Sequence, residues 1–159
     1  MTSAGALEHI IGERLEARKL TLAVAESCSG GLIAHRITNV PGASAYFLGG
    51  VVAYANDAKT RVLGVPAEHI AAHGAVSEHV AKQMAEGVRR LFTAHIGLGV
   101  TGIAGPGGGT AGKPVGLVYV ACAKANQTWA IRNEFSGTRE EVKRQTAEAA
   151  LRVLMECIS

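Results

Sequence analysis

Apolar residues along this chain fall into two patterns, one of helical period and one of short unbroken runs. Leu7, Ile10, Ile11 and Leu15 stand at i, i+3, i+4 and i+8. That spacing predicts an amphipathic helix ending near Arg18-Lys19. TLAVA at 21–25 is a short apolar run and predicts a buried strand. ESCSGG breaks the run, and LIAHRITNV at 32–40 predicts a helix stopped before Pro41. FLGGVVAY at 47–54 has strand character, and NDAKTRVLGV at 56–65 reads as a helix closing at Gly64 and Pro66.

The second half repeats the alternation. Val80, Met84, Val88 and Leu91 share one helical face behind Ser77, a suitable N-cap. IGLGVTG at 96–102 predicts a buried strand, followed by the loop IAGPGGGTAGKP. VGLVYVACA at 115–123 and TWAIRNEF at 128–135 predict a hairpin across the short polar link KANQ. Thr138 and Glu141 stand as a capping box, opening a last helix that runs to Cys157. Continuously apolar strands alternating with helices need a sheet covered on both faces. The expected fold is therefore α/β, a three-layer α/β/α sandwich whose sheet is mixed because of the late hairpin. No repeat or linker divides the 159 residues, so a single domain over 1–159 is expected.

Composition narrows the picture. With 48% hydrophobic and 18% charged residues, the chain is a folded one and not a disordered one. Aromatics at 4% and a net charge of +3 without a Lys/Arg stripe argue against nucleic acid as the main partner. Cys28, Cys122 and Cys157 have no paired spacing, which predicts a reduced, cytoplasmic protein, with Cys122 and Cys157 as small core residues. The N-terminal stretch has no secretory core, and no run reaches transmembrane length, so no membrane partner is expected.

Glycine directs attention to two places, Gly30-Gly31 and the stretch from Gly102 to Gly112. Ligands in such sheets bind beyond the C-terminal ends of strands. Both clusters follow predicted strands and are expected to share one site. GGGTAGKP at 107–114 contains G-x-x-x-x-G-K, but Pro114 replaces the magnesium-binding hydroxyl and a strand follows. That excludes a nucleotide triphosphatase loop, and leaves glycine N–H groups and Lys113 able to hold an anion. His69 and His73 stand four apart without a third ligand at a telling spacing. They are expected to face solvent, and no metal is expected.

Ser27, Cys28 and Ser29 fall in the predicted strand-to-helix turn. Unpaired N–H groups at a helix start, with the positive end of its dipole behind them, favour a developing oxyanion. The same serines would also serve as plain helix caps. The residues by themselves leave both readings open. No histidine stands where it would obviously serve as a base. Lys59, in YANDAK, follows the second strand, and a lysine buried beside a serine loses part of its preference for the ammonium form.

AESCSGG (25–31), YANDAK (54–59), HGAVS (73–77), TGIAGPGGG (101–109), KPVGLVYVA (113–121) and FSGTREEVKRQT (135–146) occur in a telling order. It is the order seen in the CinA C-terminal domain family, which the chain resembles over nearly its whole length. The resemblance implies hydrolysis of the carboxamide of nicotinamide mononucleotide, giving nicotinate mononucleotide and ammonia. It also implies a mostly parallel five-stranded sheet, no metal or other cofactor, homo-oligomers, and a stand-alone form of the domain. Carried over by position, Ser27 is the expected nucleophile and Lys59 the base, with Tyr54, Asn56 and Thr101 orienting the carboxamide or Lys59. Cys28, Ser29, Gly30 and Gly31 in the turn, and Gly102, Gly105, Gly107, Gly108 and Lys113 in the second cluster, are expected to bind substrate. Ser29 stands where the family commonly has threonine, which argues against it as nucleophile. Two rival readings are a non-catalytic interaction module, linked to competence and DNA damage, and a cysteine amidase working through Cys28.

Overall fold

In the computed structural model, which describes residues 6–159, the alternating pattern becomes a single sheet with helices on both faces. The elements in chain order are α1 (Leu7–Arg18), β1 (Leu22–Glu26), α2 (Leu32–Thr38), β2 (Phe47–Val52), α3 (Asn56–Leu63) and α4 (Ala67–His73). They continue with α5 (Glu78–Phe92), β3 (Ile96–Gly102), β4 (Leu117–Ala123), β5 (Thr128–Glu134) and α6 (Arg139–Cys157). The strands lie in the order β2-β1-β3-β4-β5. β1 runs parallel to β2 and β3, while β4 is antiparallel to both β3 and β5. Only β4 is therefore reversed, and the sheet is mixed but mostly parallel, as expected.

Packing of α1, α2 and α6 buries Ile11, Leu15, Ile33, Val142, Leu151 and Leu154 against one face of the sheet. On the other face α5 lies along β3 and β4, with α3 and α4 beside it. The close approach of α5 depends on glycine in β3. A Cβ on Gly99 would come within 2.5 Å of the Ala85 nitrogen and 2.6 Å of the Ala81 oxygen, so no larger residue fits under this helix.

Three details depart from the sequence reading. β2 ends at Val52, so Tyr54 belongs to the turn entering α3 and is exposed. Leu91 is 51% exposed in the last turn of α5. Helical period fixes a face, but not how far along the helix its neighbours extend. The seven-residue α4 was not anticipated, because none of its residues is buried and it carries no apolar stripe. Among the described residues, no helix is long and apolar enough to cross a membrane.

Candidate active site

From β1 the chain crosses to β2 on one side and later returns to β3 on the other. The C-terminal ends of β1 and β3 therefore form a switch point, where a crevice opens. The turn leaving β1 is organised by the carboxylate of Glu26, which is 1% exposed. It accepts hydrogen bonds from the backbone N–H groups of Gly31 (3.2 Å), Ile33 (3.0 Å) and Ala34 (2.9 Å), and from the Ser29 hydroxyl (2.6 Å). Glu26 thus performs the capping of α2, and Ser29 serves that cap. The N–H groups at the start of α2 are consumed by it and are not free for an oxyanion, contrary to the expectation from sequence. Gly30 donates to the Ser27 carbonyl and Leu32 to that of Ser29, which leaves Ser27, Cys28 and Ser29 as the turn's remaining N–H donors.

Ser27 takes no part in the cap. Its Oγ lies 3.0 Å from Nζ of Lys59, which also donates to the carbonyls of Ala53 (2.9 Å) and Tyr54 (3.2 Å). The local chain path explains this meeting. Lys59 sits one turn into α3, so its side chain folds back over the Ala53–Ala55 turn that joins β2 to the helix. It is 1% exposed and pairs with no carboxylate among the described residues. Burial pulls its pKa below the usual lysine value, with only a weak opposing influence from Cys28. With its three donors Lys59 reaches Ser27 Oγ and the two carbonyls. On losing a proton it would keep the carbonyls as acceptors and turn its lone pair to the serine hydroxyl.

Cys28 also lines the cleft, but burial, aided by the nearby Glu26 charge, pushes its thiol up to about 12. It stays a protonated thiol at neutral pH, a poor nucleophile. The cleft has a volume of about 220 Å³ and is bounded by Ser27, Tyr54, Asn56, Lys59, Thr101 and Gly102, among others. Thr101 Oγ1 donates to the Ala75 carbonyl at 2.9 Å, so toward the cleft it can only accept.

Besides Ala104, on the loop after β3, three further lining residues escaped the sequence reading. Ala75 and Val76 come from the loop after α4, and Arg139 from the first turn of α6. Arg139 donates to the Gly105 carbonyl and to the Tyr54 hydroxyl, both at 2.7 Å, tying three segments together at the mouth. The capping box at Thr138 gave its helical position, and nothing in the sequence gave its neighbourhood.

The second glycine cluster divides. Gly102 lines the cleft, and Gly105 reaches it through Arg139. Gly107 and Gly108 are exposed and do not line it, and Gly30 lies on a cavity on the far side of the β1 turn. Lys113 turns to an adjoining cavity, where its Nζ donates to the His73 carbonyl at 2.6 Å. The histidines are not simply solvated. His69 and His79 meet at 2.9 Å between Nδ1 and Nε2, and the His73 and His79 ring centroids are 4.4 Å apart. Among the described residues, no group of three His, Cys, Asp or Glu side chains could hold a metal ion.

A buried serine–lysine pair at the switch point of a doubly covered sheet equips a protein for nucleophilic chemistry at an acyl carbon. The profile of the CinA C-terminal domain matches residues 4–158, and the chain belongs to that family. It is 55% identical over 153 residues to a putative competence-damage inducible protein of Moorella thermoacetica, covering 96% of this chain and 37% of that one. It is 58% identical over 134 residues to a CinA-like protein of Gemmatimonas aurantiaca, covering 84% and 31%. The chain thus spans about a third of these relatives. The crystal structure of a competence/damage inducible protein from Agrobacterium tumefaciens superposes with a TM-score of 0.94 at 40% identity, covering 96% of this chain and 94% of the other.

Proposed function

We propose that the protein is an amidohydrolase that converts nicotinamide mononucleotide to nicotinate mononucleotide and ammonia through a Ser27/Lys59 mechanism. The observation that carries this reading is the 3.0 Å contact between the Ser27 hydroxyl and a buried lysine amine whose proton affinity is lowered. Ser27 Oγ attacks the carboxamide carbon while its proton passes to Lys59. Lys59 then returns the proton to the departing nitrogen, and ammonia leaves an acyl ester on Ser27. Water attacks that ester, with Lys59 again taking the proton, and releases the carboxylate and the free serine.

Supporting groups have matching chemistry. Thr101 Oγ1 is an acceptor toward the cleft and suits the N–H groups of a carboxamide. Cys28 lines the cleft, and its backbone N–H is suited to the developing oxyanion. Tyr54 and Asn56 sit at the mouth, where the pyridinium ring enters.

The test is ammonia release from nicotinamide mononucleotide by the purified protein, with the Ser27→Ala variant as blank. Turnover that requires Ser27 supports the amidase. An absence of ammonia at high protein concentration would leave the interaction module as the better account.

A further inference from the structure

Beside the amide cleft lies a second, larger cavity of about 380 Å³. The two share Val76, on the loop between α4 and α5. We propose that this cavity, whose wall carries His73, Ser77, Glu78, His79, Lys82 and Lys113, is a binding site for a phosphate monoester. Resting on the amidase reading, it holds the phosphate of the mononucleotide whose amide enters the neighbouring cleft.

Charge is the first argument. Lys113 Nζ uses one N–H on the neutral His73 carbonyl and pairs with no carboxylate among the described residues. Two N–H groups and a full charge remain for a ligand. Lys82 is offset by Glu78 at 3.0 Å, so the uncompensated charge of the cavity belongs to Lys113.

Backbone polarity points the same way. The fifteen-residue α5 begins at this wall, with Ser77 as its N-cap. The Ser77 hydroxyl takes the Val80 N–H and its carbonyl takes that of Ala81, leaving Glu78 and His79 as first-turn donors. Such N–H groups beside a cation suit an anion with several oxygens. The His79 imidazole would report the same ligand. Burial, then the neighbouring His73 and His69, hold His79 below the usual histidine range, with Lys82 adding to this and Glu86 opposing it. Tyr119 is the remaining titratable group on the wall. A bound dianion would favour the imidazolium and raise that pKa.

A cavity of about 460 Å³ with Arg89, Arg90, Lys124 and Glu86 has no lining residue in common with the amide cleft. A second rival, of about 260 Å³, carries Lys143 and Arg144 with Glu140. It shares no lining residue with the amide cleft, so one small ligand does not readily bridge the two.

The experiment compares Lys113→Ala and Lys143→Ala with the unmodified protein on nicotinamide mononucleotide and on nicotinamide riboside, which lacks the phosphate. Lys113→Ala should lose about 10- to 150-fold in kcat/KM on the mononucleotide, the span expected for one charge-assisted contact, and little on the riboside. Titration with inorganic phosphate, followed by histidine NMR, should raise the His79 pKa in the unmodified protein and not in Lys113→Ala. Equal losses on both substrates, or a phosphate-selective loss in Lys143→Ala instead, would overturn the assignment. If the unmodified protein releases no ammonia from either compound, the amidase reading fails and the phosphate titration decides alone. A His79 shift that requires Lys113 keeps the site, and no shift removes it.

Discussion

The turn after β1 and the loop after β3 leave the same end of the sheet, and both are built around glycine. The first is buried through Ser29 and locked, because one carboxylate, Glu26, gathers three backbone N–H groups and a hydroxyl. The second is open past Ala104 and Gly105, and exposed from Pro106 to Gly112. Glycine in the first turn lets the backbone bend tightly, with φ at 61° for Gly30 and 101° for Gly31. That bend brings N–H groups onto Glu26 and frees Ser27 to face Lys59. In the second, part of the run forms a wall of the cleft and the rest carries the chain to Lys113 and the next cavity. Similar composition thus gives a rigid turn that presents Ser27 in one place and a partition in the other.

Removing the proposed nucleophile tests the locked turn most severely. Ser27→Ala should lower ammonia release by more than about 10³-fold with folding intact, since only binding and oxyanion contacts remain. Cys28→Ala should cost far less, because the Cys28 thiol is held protonated. A dead Cys28 variant beside an active Ser27 variant would reverse the assignment.

Lys59→Arg comes next, with a loss on the order of 10²–10⁴-fold, since arginine keeps the charge but cannot give up its proton. In the unmodified protein kcat/KM should rise with pH through a transition lying below the ordinary lysine value of 10.5. The unfolded chain holds the Lys59 proton more tightly than the folded one, so stability from this group also grows as pH rises toward 10.5. A rate profile flat from neutral to alkaline pH, or near-normal turnover in the arginine variant, would show that Lys59 supplies only charge.

Glu26→Ala attacks the lock itself. It strands the buried Ile33 N–H and Ser29 hydroxyl and the half-buried Gly31 N–H, at a cost of about 3 kcal/mol or more in denaturant unfolding. An unchanged midpoint would mean that the turn holds its shape without its carboxylate. On the other wall, Thr101→Val removes the tie to Ala75 and the acceptor facing the cleft, with about a tenfold loss of kcat/KM expected.

The smallest effect should fall on the open loop. A Cβ on Gly107 meets nothing within 4 Å, so Gly107→Ala should change stability by less than about 0.5 kcal/mol. Gly30→Ala, by contrast, forces a side chain into left-handed backbone, at about 1–2 kcal/mol. Equal penalties at the two glycines would erase the distinction between the turns.

Much of this molecule was legible in the order of its residues. Unbroken apolar runs reveal central strands, because only a strand covered on both faces can be apolar at every position. Hence the layered fold, the hairpin and the capping box at Thr138 follow from local spacing alone. Ser27 and Lys59 were also legible as candidates, because each sits just past a strand at the same end of the sheet. Tertiary structure alone decided how the candidates divide the work. Ser27 and Ser29 are two residues apart in similar sequence, and only the position of Glu26 separates a free hydroxyl from a capping one. The approach of Arg139 to Tyr54 spans 85 residues, and that of Lys113 to His73 spans 40. Local periodicity encodes which face of an element is buried. It does not encode which distant loop will cover that face, since that depends on how all the layers pack together.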